Sequence, residues 1–259
     1  MSAARILVTG SADGLGLMAA RLLVEGGHRV VLHARSSERA SEALTACRGA
    51  ETAVVGDLSS MKATCSVAEQ VNGLGKFAAV IHNAGVGYRE RRRIETVDGL
   101  PLVFAVNTLA PYLLTCLIER PKRLIYLSSG MHRGADGTLQ DLTWSVRSWS
   151  GSSAYADSKL HDAILAFAVA RRWPNVLSNA VEPGWVATRM GGPGAPDDLD
   201  AAPRTQVWLA TSDEPAAQVT GKYFYHLNQR HADPAAASEA TQERLLSECA
   251  RLSGVEFPA

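Results

Sequence analysis

The sequence lacks a charge excess, a long apolar run and paired cysteines, and each absence excludes a class of protein. Its 259 residues include 26 basic and 26 acidic side chains, so no global basic field favours a nucleic-acid partner. No run of about 18 apolar residues occurs and no apolar signal core opens the chain, which argues against a membrane span or secretion. We therefore expect a cytoplasmic protein that binds neither nucleic acid nor membranes.

The cysteines have no spacing typical of a zinc site or a disulfide framework. They stand at positions Cys47, Cys65, Cys116 and Cys249. Thiols spread in this way are typical of proteins from a reducing compartment. We predict neither a disulfide nor a metal site.

Short apolar segments alternate with longer helical patterns along the whole chain. The predicted strands span residues 5–9, 28–33, 52–56, 77–82, 123–129, 175–181 and 221–225, and helical patterns include 17–24, 102–114, 204–209 and 235–252. This alternation favours a parallel sheet covered by helices on both faces. With 46% hydrophobic residues, the chain is able to bury the core of a single α/β domain over residues 1–259.

A glycine-rich turn joins the first predicted strand to the first helix. It contains Gly10, Ser11, Asp13, Gly14, Leu15 and Gly16. Glycine permits positive φ and lets a ligand approach the backbone closely, while the free N–H groups at a helix start attract an anion. A strand, a glycine turn and a helix in this order predict a dinucleotide site. The alternative is a tight turn that binds nothing.

The end of the second strand indicates which dinucleotide would bind. NAD sites usually place a carboxylate there, about 20 residues past the glycine turn. No acid occupies positions 29–37, and Glu38, the first acid, falls past the turn. Arg35, with Ser36 beside it, suits the 2′-phosphate of NADP(H), unless it is simply a solvated surface arginine. We predict NADP(H) as the preferred cofactor, with NAD(H) as the alternative.

Tyr155 and Lys159 stand four positions apart, a spacing that places both side chains on one face of a helix. A free tyrosine, with a pKa of about 10, is a poor acid at neutral pH. A cation within reach of its oxygen favours the phenolate and lowers that pKa. The pair predicts acid–base chemistry, although tyrosine and lysine also meet at this spacing by chance.

Seven short motifs, in order along nearly the whole chain, resemble those of the short-chain dehydrogenase/reductases. They are Thr9-Gly10-x-x-x-Gly14-x-Gly16, Asp57-Leu58, Asn83-Ala84-Gly85, Asn107, Ser129, Tyr155-x-x-x-Lys159 and Pro183-Gly184-x-x-x-Thr188. The glycine spacing is similar to that of the compact branch of the family. The resemblance implies a Rossmann-type doubly wound sheet of about seven parallel strands in the order 3-2-1-4-5-6-7, with the active site at their carboxyl ends.

The resemblance implies four catalytic residues. Tyr155 would exchange the substrate proton, Ser129 would orient the substrate oxygen, Lys159 would lower the tyrosine pKa and hold the nicotinamide ribose, and Asn107 would complete the proton path. Strand alternation points only one of two adjacent serines into the cleft. The resemblance favours Ser129, with Ser128 as the alternative.

Cofactor contacts are implied at further positions. They are Gly10, Ser11, Asp13, Gly14, Leu15, Gly16, Arg35, Ser36, Asp57, Leu58, Asn83, Ala84, Gly85, Pro183, Gly184, Val186 and Thr188, together with Tyr155 and Lys159. Asp57 would accept from the adenine amino group, although an acid at a helix N-terminus gives the same pattern. His82, where the family often has asparagine, is interpreted as a buried residue at a strand end.

Two segments depart from the family core. Residues 130–154 form a long insert between the serine and the tyrosine, and His132 and Asp141-Leu142 in it resemble retinol-dehydrogenase-like members. Trp144 and Trp149 either pack this insert onto the body or line an apolar substrate pocket. Residues of about 189–203, rich in Gly and Pro, are implied to form a flap over the substrate.

These features predict an oxidoreductase that transfers hydride reversibly between NADP(H) and a ketone, aldehyde or secondary alcohol. A carbonyl reductase with a bulky apolar substrate is our main hypothesis, by analogy at the level of the fold. A non-catalytic NADP-binding sensor or scaffold is the alternative, and a sugar-nucleotide epimerase is a further one. The family resemblance also implies a homo-dimer or homo-tetramer built on the helices that contain Asn107 and Tyr155.

Overall fold

The computed structural model describes residues 3–259, and its centre is one sheet with strand order β3-β2-β1-β4-β5-β6-β7-β8. The strands are β1 (Arg5–Val8), β2 (Arg29–Ala34), β3 (Thr52–Val55), β4 (Ala79–His82), β5 (Arg123–Leu127), β6 (Leu177–Glu182), β7 (Lys222–Tyr225) and β8 (Asn228–Arg230). Every neighbouring pair from β3 to β7 is parallel. The predicted doubly wound order is therefore confirmed over its seven strands.

The strand β8 was not predicted from the sequence. It pairs antiparallel with β7 after a two-residue turn in which His226 and Leu227 both have positive φ, at 45° and 65°. Positive φ at both central positions matches the twist of a tight hairpin. All three β8 residues, Asn-Gln-Arg, are exposed, so no apolar alternation marks this edge strand in the sequence.

Helices cover both faces of the sheet. They are α1 (Gly14–Glu25), α2 (Ser37–Ala46), α3 (Met61–Gly73), α4 (Leu102–Phe104), α5 (Ala110–Leu117), α6 (Gly151–Arg172), α7 (Arg204–Thr211), α8 (Pro234–Ala237) and α9 (Glu239–Ser253). Along β1, Leu7 joins the core under α3, α5 and α6, while Ile6 and Val8 join the core under α1 and α7. This alternation of side chains buries both faces of the sheet.

The C-terminal segment covers the outer face of α5 and α6. Phe257 stacks on Trp173 with ring centres 4.8 Å apart, and the Trp173 indole donates to the Pro258 carbonyl at 3.1 Å. The Tyr112 hydroxyl donates to the Val255 carbonyl at 2.7 Å. The predicted closing helix is in fact two helices, because Ser238 ends α8 and its side chain caps α9.

Within residues 3–259, no helix has the length and apolar character that a membrane crossing requires. The same residues contain no group of three or more His, Cys, Asp or Glu side chains arranged to hold a metal ion.

Candidate active site

The turn between β1 and α1 is shaped by glycines that no larger residue fits. Gly10 has a φ of +62°, and a Cβ there would lie 2.7 Å from the Cα of Ala84. A Cβ on Gly16 would lie 2.4 Å from the carbonyl oxygen of Gly10. Gly14, by contrast, has a φ of +54° with nothing within 4 Å of a Cβ position, so the turn opens outward at this point.

Asn83 ties the end of β4 to the glycine turn. Its Nδ2 donates to the carbonyl oxygens of Thr9 at 3.0 Å and Gly10 at 3.2 Å, and its backbone N–H donates to Thr9 Oγ1 at 3.0 Å. These bonds satisfy carbonyl groups at the point where β1 ends. Asn83 therefore positions the turn.

His33, at the end of β2, also holds the turn and was missed by sequence reasoning. Its Nδ1 accepts from the Gly10 N–H at 3.0 Å, and its Nε2 donates to the Gly56 carbonyl at 2.9 Å. Burial lowers the pKa of His33, against weaker opposing effects of the Gly56 carbonyl and Asp57. A neutral ring with the proton on Nε2 satisfies both bonds. A polar ring within an otherwise apolar strand was the only available sequence clue.

A cleft of about 1090 Å³ lies in front of this turn, at the carboxyl ends of the parallel strands. Of the predicted cofactor residues, it is lined by Gly10, Asp13, Gly14, Leu15, Gly16, Arg35, Asp57, Leu58, Asn83, Ala84, Gly85 and Thr188. Ser11 is buried behind the turn, and the Ser36 hydroxyl accepts from the Arg39 N–H as the cap of α2. Pro183, Gly184, Val186, Tyr155 and Lys159 lie outside the lining of this cleft, although two lining residues, Tyr88 and Gly85, lie beside Tyr155 and Lys159.

The cleft fits a dinucleotide. The first turn of α1 carries no acidic residue and no side chain caps it, so its N–H groups are open to an anion. Arg35 and Arg39 line the end where the adenosine ribose would lie. Arg39, which sequence reasoning missed, lies in the first turn of α2 and pairs with Asp13 at 2.7 Å.

Tyr155 lies buried on α6, with its ring edge-on to Tyr88 at 5.6 Å and its centre 5.8 Å from Lys159 Nζ. Burial raises the pKa of Tyr155 above its ordinary value, while the Lys159 cation and the Ser129 hydroxyl act in the opposite direction. The net direction is the reverse of the sequence-based expectation, because burial outweighs the cation. Tyr155 is therefore a protonated acid at neutral pH.

The two adjacent serines point in opposite directions, as strand alternation requires. Ser128 is buried, and its hydroxyl donates to the Lys159 backbone carbonyl at 2.7 Å. Ser129 is half-buried, accepts from the Met131 N–H at 3.3 Å and lies close enough to influence the pKa of Tyr155. The structure thus brings Ser129, and not Ser128, beside the tyrosine.

Lys159 is held on its far side by two acceptors. Its Nζ donates to the Leu127 carbonyl at 2.7 Å and to Asp162 Oδ2 at 2.8 Å. Burial opposes the charged form, but Asp162 and Tyr155 outweigh it and leave the pKa of Lys159 above its ordinary value. Asp162 was not singled out in the sequence, since an isolated aspartate three residues after a lysine gives no motif.

Asn107 lies in a π-helical segment, Ala105–Leu109, which separates α4 from α5. Its side chain binds both polar atoms of the Val86 backbone and donates to Ser158 Oγ at 3.0 Å. π-helical turns are rare in proteins and frequently occur at functional sites. Asn107 therefore fastens the wall of the cleft to α6.

The insert packs onto the body of the protein through its tryptophans. Trp144 is buried against Val103 and Ala154, and Trp149 donates to the Glu90 carbonyl at 3.0 Å. Arg147 lies over the Trp144 ring at 3.9 Å and pairs with Asp157 of α6 at 2.8 Å. Of the two interpretations of the tryptophans, this geometry agrees with packing.

The flap is fastened at its base. Asp197 accepts from the Trp185 N–H at 2.6 Å and donates its own N–H to the Trp185 carbonyl at 3.0 Å. The Trp185 indole donates to the Gly191 carbonyl at 3.0 Å.

His82, at the end of β4, lies in the core as interpreted from the sequence. Its ring stacks on Tyr126 at 4.7 Å, and burial lowers its pKa to about 3.

The comparisons with known proteins agree with this geometry. A sequence model of the short chain dehydrogenase family matches residues 4–131. An uncharacterized oxidoreductase of Emericella nidulans, AN7799, is 46% identical, over 98% of this chain and 98% of that protein. The chain belongs to the short-chain dehydrogenase/reductase family. The short-chain dehydrogenase chyC of Penicillium rubens is 44% identical, over 99% of this chain and 100% of that protein.

A solved structure supports the fold of this short-chain dehydrogenase/reductase. The crystal structure of an uncharacterized protein from Mycobacterium paratuberculosis superimposes with a TM-score of 0.85, covering 99% of this chain and 95% of the other, at 24% identity. The present chain is therefore an oxidoreductase with a Rossmann-type fold, from a family that binds a nicotinamide cofactor and acts on small molecules.

Proposed function

We propose that this short-chain dehydrogenase/reductase is an NADP(H)-dependent carbonyl reductase that interconverts bulky apolar ketones or aldehydes and their alcohols. The observation that carries the proposal is the meeting of Tyr155, Ser129 and Lys159 beside a cleft shaped for a dinucleotide.

The protein's own residues manage the proton in this reaction. The nicotinamide, when bound, supplies or accepts the hydride. Tyr155 donates its proton to the substrate oxygen as negative charge develops there. The Ser129 hydroxyl hydrogen-bonds to the same oxygen and stabilises that charge. Because burial keeps Tyr155 protonated, the site is poised for reduction.

The preference for NADP(H) is supported by two arginines. Arg35 is exposed at the mouth of the cleft, and Arg39 lines the same cleft from the first turn of α2. The end of β2 carries no carboxylate, which would repel a 2′-phosphate, because no acidic residue occupies positions 29–37. Arginine binds phosphate through a planar fork of N–H donors, which makes the pair a suitable clamp.

The bulky apolar substrate is supported by exposed side chains around the mouth of the site. Met131, Trp185 and Leu227 follow β5, β6 and β7, so all three lie at the edge where Ser129 stands. Trp185 is 55% exposed, so a large apolar ring surface is open to solvent at this edge. We also propose that the enzyme is cytoplasmic. Its four cysteines are free thiols, which is typical of proteins in a reducing compartment.

The decisive test is incubation of the purified protein with NADPH and a panel of ketones and aldehydes of increasing apolar bulk. Oxidation of NADPH with formation of the alcohol is the expected result, and NADH should serve less well. A non-catalytic sensor would bind NADPH without consuming it. An epimerase would form product without net consumption of the cofactor.

A further inference from the structure

A buried carboxylate lies directly behind the active-site lysine. Asp162 stands three residues after Lys159 on α6 and is 2% exposed. Its Oδ2 accepts from the Lys159 ammonium at 2.8 Å. Its neighbours along the helix, Leu160, Ala163 and Ile164, are fully buried and apolar. A carboxylate in such surroundings is costly unless a cation pairs with it.

The pair fixes where the ammonium lies. Of the three N–H donors of Lys159, one is directed to the Leu127 carbonyl and one to Asp162. A Cβ on Gly85, in the wall of the cleft, would lie 3.6 Å from the same nitrogen. Two donors are thus used on the side of the sheet and helix, which leaves the third for the cleft.

The carboxylate also changes the charge that Tyr155 experiences. Burial is the largest influence on the pKa of Tyr155 and raises it; the Lys159 cation lowers it and the Asp162 anion raises it again. The carboxylate therefore offsets part of the effect of the ammonium on the phenol. A lone ammonium would favour the phenolate much more strongly.

We propose that Asp162 is a positioning residue, which holds the Lys159 ammonium in place and, by its negative charge, weakens the effect of that ammonium on the Tyr155 proton. This inference rests on the proposed carbonyl reductase function. It assigns to one buried carboxylate part of the preference of Tyr155 for its protonated form.

The surroundings of Asp162 contain few other groups that titrate. Lys159 and Tyr155 face it from its own helix, and Tyr126 faces it from β5. The Tyr126 hydroxyl is 2.7 Å from Thr115 Oγ1, and burial, followed by weaker effects of Thr115, Cys116 and Asp162, leaves its pKa raised. Burial raises the pKa of Asp162 itself, against the attraction of Lys159.

The test is a titration of tyrosinate absorbance in the NADP⁺-bound protein. Each protein is measured against its own Tyr155→Phe counterpart, so the difference isolates Tyr155. In Asp162→Asn, which keeps the side-chain volume and an acceptor oxygen, Tyr155 should lose its proton about one pH unit earlier or more. The high-pH limb of kcat/KM for ketone reduction should move in the same direction. An unshifted titration in folded Asp162→Asn would overturn the proposal.

Asp157→Asn is the matched control. Asp157 is the second buried aspartate of α6, but it pairs with Arg147 of the insert and does not contact Lys159. Its loss should lower the melting temperature and leave the Tyr155 titration unchanged. An equal shift in both variants would assign the effect to general loosening of α6, contrary to the proposal.

Thermal unfolding separates this inference from the proposed function, because it needs no substrate. Lys159→Met leaves the Asp162 carboxylate buried without a cation, so this variant should melt lower at pH 8 than the double variant Lys159→Met/Asp162→Asn. Equal melting temperatures in the two variants would show that the Lys159 cation does not stabilise the buried Asp162 carboxylate. If the wild-type protein reduced no carbonyl compound, the proposed function would be wrong. The titration and the melting temperatures would still test the role of Asp162, because neither measurement needs a substrate.

Discussion

Asn107 holds the backbone of Val86 with both ends of its amide: Oδ1 accepts from the Val86 N–H at 2.8 Å and Nδ2 donates to the Val86 carbonyl at 3.1 Å. Val86 lies in the wall of the cofactor cleft, directly after Asn83, Ala84 and Gly85. The side chain of Asn107 therefore supports the cleft wall, in addition to any part it has in a proton path.

Replacing Asn107 by Asp tests this clamp. The carboxylate cannot donate to the Val86 carbonyl or to Ser158, so a buried acceptor loses its partner at a cost of about 1–3 kcal/mol. We expect a lower melting temperature and weaker NADPH binding in fluorescence titrations. Unchanged NADPH affinity in a folded variant would show that the cleft wall does not depend on the clamp.

Tyr155→Phe removes the proposed proton donor and keeps the ring. Turnover should fall by about two to four orders of magnitude, while the dissociation constant for NADPH changes little. Tyr112→Phe is the control, since that buried hydroxyl donates to the Val255 carbonyl in the C-terminal segment. It should lower stability and leave turnover intact. Near-normal turnover in Tyr155→Phe would remove the tyrosine from its role.

Arg35→Asp addresses the choice of cofactor. The acid should repel the 2′-phosphate and accept from the ribose of NADH, so the ratio of kcat/KM for NADPH over NADH should fall at least about tenfold. The double variant with Arg39→Asp should shift the ratio further. Arg48→Asp, an exposed arginine outside the cleft, serves as the control. A constant ratio would refute the 2′-phosphate assignment.

Buried histidines, among them His33, His82 and His161, should make the protein less stable in acid. Burial lowers the pKa of His33, and it lowers those of His82 and His161 to about 3. Because the unfolded chain binds protons near pH 6.5 and the folded one does not, stability present above that pH is lost progressively as the pH falls. Chemical unfolding between pH 7.5 and pH 4.5 should show a falling free energy of unfolding. In the variant His82→Asn, this free energy should fall less steeply with decreasing pH.

The C-terminal segment bears on the oligomeric state. The helices expected to carry subunit contacts, α5 and α6, are almost entirely buried within one chain, partly by α9 and Phe257. We expect light scattering to give the 27.6 kDa mass of a monomer. Removal of residues 239–259 should expose this apolar face and cause self-association. A stable dimer of the intact chain would contradict this prediction.

Much of the site was predictable because its residues follow strand ends or share a helix face. The glycine turn, Asn83 and the Tyr155–Lys159 pair have local spacings that place them at one edge of a parallel sheet. His33, Arg39 and Asp162 were not recognised, since each acts through a partner that only folding brings near: Gly10, the cleft and Lys159. The edge strand β8 escaped prediction because its three residues are polar and exposed.

The sequence by itself determined the alternation of buried strands and helices, hence the doubly wound sheet, because hydrophobic periodicity is a local property of the chain. It also placed the candidate chemical residues at the carboxyl ends of the strands. Only the tertiary structure decided the net direction of the Tyr155 pKa and the buried partner of Lys159. Burial and charge pairing depend on distances between segments far apart in the chain, and no local pattern contains them.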